Sequence, residues 1–241
     1  MALWMLAAAA SYFIKGLCGF ANTLVFTSIL SFGSATNANI SPVDLLVGYP
    51  ANVIMTWNNR KKLSAGVWLP LAALVLAGSV PGALLLKHVD AGAIKVVFGV
   101  VIVLLGAEML LRGRQQGKLR SSKPVLAVIG VLAGVLCGLF GVGALLAAYV
   151  SRVTDDQSGF KANISAVFVA ENTFRIVLYS CLGLITLETL KTALILLPFA
   201  LLGLWLGILS SKKLNDKTVG RLVALLLILS GISLVVKNLG A

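Results

Sequence analysis

Glu171, Asn172 and Arg175, in the stretch A-E-N-T-F-R, could bind or move charge, yet they stand inside an otherwise apolar run. N-I-S-A-V-F-V precedes them and I-V-L-Y-S-C-L follows, so both ionisable groups are expected in hydrocarbon-like surroundings, where charged side chains are rare and costly. Glu171 lies four residues before Arg175, on one helical face. Two uses fit that spacing. Either Arg175 binds an anion while Glu171 positions it or carries a coupling proton, or the two neutralise each other and lock neighbouring helices together. Lys15 is a second such cation, at the head of the glycine cluster K-G-L-C-G-F-A-N over 15–22.

Other reactive groups are few. Cys18, Cys137 and Cys181 all fall in apolar segments, which argues against a disulfide framework and a zinc site. Cys18 and Cys137 read either as a sulfur-handling pair or as small packing residues. The single histidine, His88, falls in a loop, no G-x-S-x-G turn occurs and no Asp pair lies within the apolar spans, so an enzyme is not expected. The sequence has no G-x-x-x-x-G-K-[ST] either, so any transport is driven by a gradient or by the substrate itself. No cofactor is expected.

The elements that must position these groups are membrane helices. The 241 residues are 59% hydrophobic and 12% charged, with mean hydropathy +1.01, against about 25% charged residues in soluble domains. The net charge of +12 resides mostly in short loops between apolar runs, where it reports topology rather than nucleic-acid binding. M-A-L-W-M-L carries no positive charge before Lys15, so a cleaved signal peptide is not expected. At about 20 residues per crossing, ordinary spans are predicted at 41–57, 67–86, 91–111, 164–182, 187–210 and 218–236.

Two stretches are too long. As straight helices, 2–32 and 124–150 would run about 46 and 40 Å, beyond a hydrocarbon core of about 30 Å. Each holds glycines near its middle, at 15–22 and in C-G-L-F-G-V-G over 137–143. Each is therefore read as a helix, a break and a second short helix, which a membrane tolerates only where the freed backbone faces protein or a water-filled cavity.

The chain also repeats itself. Leu17-Cys18-Gly19 recurs as Leu136-Cys137-Gly138, Asn52 as Asn172, the pair Gly78 and Gly82 as Gly203 and Gly207, and Gly106 as Gly231. Two halves follow, 1–111 and 124–241, joined by a basic linker at 112–123. If each broken segment turns back to its starting side, one face collects Arg60, Lys61, Lys62, the linker charges, Arg152, Lys161, Lys212, Lys213, Lys217 and Arg221. That asymmetry obeys the positive-inside rule, whereas a single crossing per broken segment gives a nearly even split. The expected fold is an all-α membrane protein of two inverted-topology repeats, each a broken or re-entrant helical hairpin plus three transmembrane helices. Both termini lie outside and the linker in the cytoplasm. Trp57 and Trp68, flanking N-N-R-K-K, suit an aromatic belt on the inner side.

Inverted repeats with paired broken helices place a ligand near the midplane between them. A helix beginning there aims unpaired N–H groups and partial positive charge at the cavity, which suits a small anion. Candidate binding groups are Arg175, Lys15, Asn172, Asn52 and Asn22, with backbone at Gly19, Gly138, Gly141 and Gly143; Glu171 is the candidate for proton coupling. Asn163, Ser165 and Thr56 read as interhelical hydrogen-bonding residues. Pro50, in G-Y-P-A-N, is expected to interrupt its helix one turn in and free a carbonyl beside Asn52.

These motifs carry a resemblance. G-V-L-C-G-L-F-G-V-G at 134–143, F-K-A-N-I-S-A-V-F at 160–168, L-P-F-A-L-L-G-L-W-L-G at 197–207 followed by S-K-K-L, and L-L-L-I-L-S-G-I-S-L at 225–234 resemble the sulfite exporter TauE/SafE family over nearly the whole chain. In the first half, G-F-A-N at 19–22 replaces that family's glycine-rich turn, so Asn22 puts an amide side chain where backbone would be. The resemblance implies a secondary transporter of small sulfur-containing anions, such as sulfite, sulfoacetate or related organosulfonates, in a bacterial inner membrane. Its partners would be the anion and membrane lipids, with coupling to protons. An anion channel or a lipid-phosphate flippase is the alternative, since cations at a broken helix also suit phosphate headgroups. A flippase would open sideways to lipid, whereas a carrier would present a closed central cavity.

Overall fold

A computed structural model describes residues 1–30, 37–85, 123–140, 143–154 and 156–238, together with 96, 99, 100, 103, 104, 106, 107, 110 and 111. Every element among them is helical: α1 Ala2–Cys18, α2 Asn22–Leu30, α3 Asn37–Asn58, a 3-10 turn Arg60–Lys62, α4 Ala65–Leu85, α5 Lys123–Phe140, α6 Ala144–Val153, α7 Gln157–Cys181, α8 Leu187–Ser211 and α9 Asp216–Asn238. Isolated helical positions lie between 96 and 111.

Both overlong stretches are broken where glycine clusters. α1 ends at Gly19, whose φ of 92° is left-handed and whose N–H closes onto the Lys15 carbonyl at 2.6 Å. Ala21 follows at φ 73°, a conformation that costs a side-chain-bearing residue about 1–2 kcal/mol. α5 ends at Phe140, and α6 begins after Gly143.

Two expectations need correction at helix starts. α3 begins at Asn37 rather than 41 and runs unbroken through Pro42 and Pro50, so Pro50 does not interrupt its helix one turn in. A proline removes one ladder hydrogen bond, which packing against neighbouring helices can compensate. α7 begins at Gln157 rather than 164, because Asp156 caps it by accepting the Gly159 N–H at 2.7 Å. Lys161, read as a loop cation, therefore sits inside a helix and is buried.

Helix directions follow from the contacts. Gly203 and Gly207 of α8 press on the carbonyls of Ala9 and Phe13 in α1, so these helices run parallel. Gly78 and Gly82 of α4 press in the same way on Val131 and Val135 of α5. Ser41, Tyr49 and Ser64 meet Tyr179, Thr173 and Asn163 in turn, so α3 and α7 run antiparallel. Gly99 meets Val235 while Gly106 meets Ala224, the same antiparallel sense for the positions around 99–106 and α9.

Two consequences follow. α1 and α3 run the same way, as do α5 and α7, so α2 and α6 must each lead back toward the side where the preceding helix began. In the first hairpin, Trp4 of α1 meets Phe26 of α2 edge-on at 5.9 Å between centroids. The start of α1 and the end of α9 then share one side, while the 3-10 turn and the start of α7 meet on the other, where Lys62 pairs with Asp156 at 2.9 Å.

The glycines that mark the repeat are contact points. A Cβ on Gly203, Gly207, Gly78 or Gly82 would collide with the backbone of the facing helix. Overpacking of this kind costs about 1–3 kcal/mol. Gly207→Val and Gly82→Val should each lower the melting temperature in detergent by roughly 3–10 °C. Gly66→Ala, with nothing within 4 Å of its Cβ, should leave it unchanged.

Two buried clusters flank the α3–α7 pair. One joins α1, α2, α3 and α8 through Ala8, Tyr12, Phe26, Val47, Met55 and Leu196; the other joins the break regions to α4 and α7 through Phe20, Val75, Cys137, Leu146, Val167 and Phe168. Leu202, Trp205 and Leu209 of α8 and Leu225, Leu229 and Val236 of α9 stay exposed, as a lipid-facing surface requires.

Candidate functional site

The broken helix α1 ends with carbonyls that lack intrahelical partners, and α7 supplies donors for them. Lys161 Nζ donates to the Gly16 carbonyl at 2.9 Å and Gln157 Nε2 to the Leu17 carbonyl at 3.1 Å. A cation suits the negative end of a helix dipole. α7 treats the end of α5 likewise: Arg175 Nη1 donates to the Cys137 carbonyl and the Tyr179 hydroxyl to that of Gly138 at 3.4 Å. One helix thus secures both breaks.

Beside the first break lies a small recess of about 20 Å³. Lys15, Asn22, Asn52, Asn172 and Arg175, five of the polar residues predicted from sequence, all line it. Lys15 Nζ donates to Asn22 Oδ1 at 2.9 Å and stands 5.4 Å from the Phe168 ring centre. Arg175 stands 5.6 Å from the Tyr179 ring centre. Asn52 is 2% exposed, and its Oδ1 has no hydrogen-bond partner among the described residues. A Cβ on Gly48 would lie 3.2 Å from the Tyr12 hydroxyl and 3.8 Å from the amides of Asn22 and Asn172, so this glycine lets α3 approach the site closely.

Glu171 is buried beside Arg175, with Oε1 at 3.5 Å from Nε, an ion pair too long for a good hydrogen bond. It does not line the recess. Among the glycines, Gly19 packs under Lys161, Gly138 offers its carbonyl to Tyr179, and Gly143 abuts the Phe168 ring; Gly141 lies outside the described residues. Asn163 is a structural link, accepting the Ser64 N–H at 3.0 Å and donating to the Gly159 carbonyl at 2.8 Å. Thr56 donates to the Asn52 carbonyl at 2.9 Å, while Ser165 Oγ has no partner among the described residues. Cys18 and Cys137 are buried in one apolar cluster, and Cys181 is exposed.

The residue that sequence reasoning passed over is Asp44. Its carboxylate accepts from Tyr12 at 3.0 Å, from Asn22 Nδ2 at 3.2 Å and from the Thr23 hydroxyl. It lines the same recess and is 3% exposed. A lone Asp in a predicted span, as in S-P-V-D-L-L, is as costly as Glu171 and would have flagged the position.

A second, larger cavity of about 650 Å³ lies where the ends of α3 and α8 meet the start of α7. Asn58, Gln157, Ser158 and Lys212 give it a polar wall, Trp205 an apolar one, and Lys161 links it to the end of α1.

α4, α7 and α8 contain stretches long and apolar enough to cross a membrane. The family model for the sulfite exporter TauE/SafE matches residues 3–234. No curated protein and no solved structure gives a match. A match over almost the whole of a multi-helical apolar chain identifies it: the protein is a multi-pass membrane protein of the sulfite exporter TauE/SafE family, a transporter family.

Proposed function

We propose that the protein is a secondary transporter of small sulfur-containing anions, sulfite, sulfoacetate or a related organosulfonate, and that it holds the anion in the recess between Lys15 and Arg175. The observation that carries this reading is the convergence of two cations and three carboxamides, drawn from α1, α2, α3 and α7, on one small recess. An oxyanion needs several convergent donors in a dry site.

The recess has space for about one or two water molecules. An anion can enter only if the surrounding helices part, which favours a carrier that alternates between states over an open channel. The 650 Å³ cavity is the cytoplasmic mouth in this reading, with Lys161 between it and the recess. Glu171 holds Arg175 in place.

The inverted-repeat arrangement, with halves 1–111 and 124–241 about the linker at 112–123, draws support from the packing. Counterpart helices α3 and α7 run antiparallel, as do the helical positions around 99–106 and α9. The pairs α1 with α8 and α4 with α5 exchange equivalent partners between the halves. A two-fold axis in the membrane plane produces this pattern, with both termini periplasmic and the basic loops in the cytoplasm of a bacterial inner membrane. Ser158→Cys in a chain whose native cysteines are replaced should react with a membrane-impermeant thiol reagent added from the cytoplasmic face only. Reaction from the periplasmic face alone would reverse the orientation. Transport itself is tested by uptake and efflux of radiolabelled sulfite and a simple sulfonate in proteoliposomes, and flux indistinguishable from protein-free vesicles would refute the reading.

A further inference from the structure

Resting on that reading, we propose that Asp44 is the proton-carrying group, so that each anion crosses the membrane together with a proton taken up by the Asp44 carboxylate. Three ionisable groups line the recess, the cations Lys15 and Arg175 and the carboxyl of Asp44, and a second carboxyl, Glu171, stands behind Arg175. Their formal charges cancel. An anion entering that recess adds a negative charge with no counter-ion of its own. A like charge a few ångströms away disfavours the ionised form of a carboxyl, so the least costly compensation is a proton on one of the two acids.

The geometry selects Asp44. Glu171 does not line the recess and faces Arg175 at 3.5 Å, an ion pair that protonation would break. Asp44 borders the space directly and reaches Lys15 only through the Asn22 amide, with Lys15 Nζ to Asn22 Oδ1 at 2.9 Å and Asn22 Nδ2 to Asp44 Oδ1 at 3.2 Å. Lys15 can therefore turn to an incoming anion while Asp44 exchanges its charge for a proton. Tyr12 and Lys15 face Asp44 from α1, Asn22 and Thr23 from α2, and Asn172 and Arg175 border the same space from α7. From α8, Ala193, Leu196 and Ala200 present apolar surface to the cluster that contains α3. Asp44 keeps flexible polar neighbours in both protonation states, because the Tyr12 and Thr23 hydroxyls can donate to a carboxylate or accept from a carboxylic acid.

The bookkeeping is simple: one anion of charge −1 and one proton bind and leave together, so the cycle moves no net charge. Methanesulfonate is the suitable probe, because its own charge does not change between mildly acidic and neutral pH. Purified wild-type protein in proteoliposomes holding a trapped pH dye, with membrane potential clamped, should move about one proton with each radiolabelled methanesulfonate. Asp44→Asn should move methanesulfonate with no accompanying proton. Asp44→Glu should retain the proton, and Glu171→Gln should lower the flux but keep the proton-to-anion ratio. A proton still moving with the anion in Asp44→Asn, or a ratio lost in Glu171→Gln, overturns the assignment. Thr23→Val keeps the acid and removes one of its two hydroxyl donors, so the dependence of flux on pH should change. An unchanged profile overturns the assignment even if Asp44→Asn does not fold. If wild type moves methanesulfonate or sulfite without a proton, only this inference fails; if it moves neither, the transport reading fails with it.

Discussion

Lys15→Met should reduce anion flux by roughly 10- to 100-fold, the loss that follows when one charge-assisted hydrogen bond of about 1.5–3 kcal/mol is removed from a binding site. Lys15 is 1% exposed and its ammonium is turned toward the recess through Asn22. The single substitution also leaves Asp44 in an apolar bundle with one cation fewer, so some loss of folded protein accompanies it. Lys15→Met combined with Asp44→Asn removes both charges and should recover the folded yield. Flux should stay low in that pair, because the donor for the anion is still missing. A lysine that merely balanced Asp44 would behave differently, and the double variant would then transport as well as Asp44→Asn alone. The comparison is read by radiolabelled sulfite counterflow, normalised to monodisperse protein.

The second large effect falls on stability as well as transport. Arg175→Met removes the Arg175 hydrogen bond to the Cys137 carbonyl at the end of α5 and leaves Glu171 buried without its ion-pair partner. Breaking a buried pair by removing one member costs about 3–5 kcal/mol. The melting temperature in detergent should therefore fall by roughly 6–20 °C. Arg175→Met with Glu171→Gln exchanges the orphaned charge for a neutral amide and should recover most of that loss, leaving only the lost hydrogen bond to Cys137. Flux should not recover, since a recess-lining cation is absent. The two readings of A-E-N-T-F-R are thus not exclusive: Arg175 caps a broken helix with one nitrogen while its side chain borders the recess.

Much of this arrangement was legible in the residues because it rests on local rules. Two apolar stretches too long for one crossing, each with glycines in the middle, led to breaks that the structure shows at 19–21 and after Phe140. The asymmetry of Lys and Arg led to broken segments that turn back, which is part of the inverted-repeat arrangement proposed above. The equivalence of Asn52 and Asn172 led to a shared space, which both residues line. What could not be read depends on which helices meet. Gly78, Gly82, Gly203 and Gly207 marked the repeat, but nothing local says that α1 packs on α8 and α4 on α5. Lys161 was misplaced because an Asp156 cap extends the start of α7 by about two turns, which a hydropathy window does not register. Asp44 is less legible because no Lys or Arg stands one turn from it, as Arg175 does from Glu171. Its partners, Tyr12, Asn22 and Thr23, are distant in sequence and meet it only once α1 and α2 fold back against α3.

The most direct test of the central claim, that the anion binds between Lys15 and Arg175, is equilibrium binding of radiolabelled sulfite to purified protein in detergent. Wild type would be compared with the two charge-balanced variants, Lys15→Met/Asp44→Asn and Arg175→Met/Glu171→Gln. Saturable binding in wild type, lost by at least about tenfold in affinity in both folded variants, is the predicted result. Undiminished affinity in both would place the anion elsewhere and reduce the recess to a structural contact.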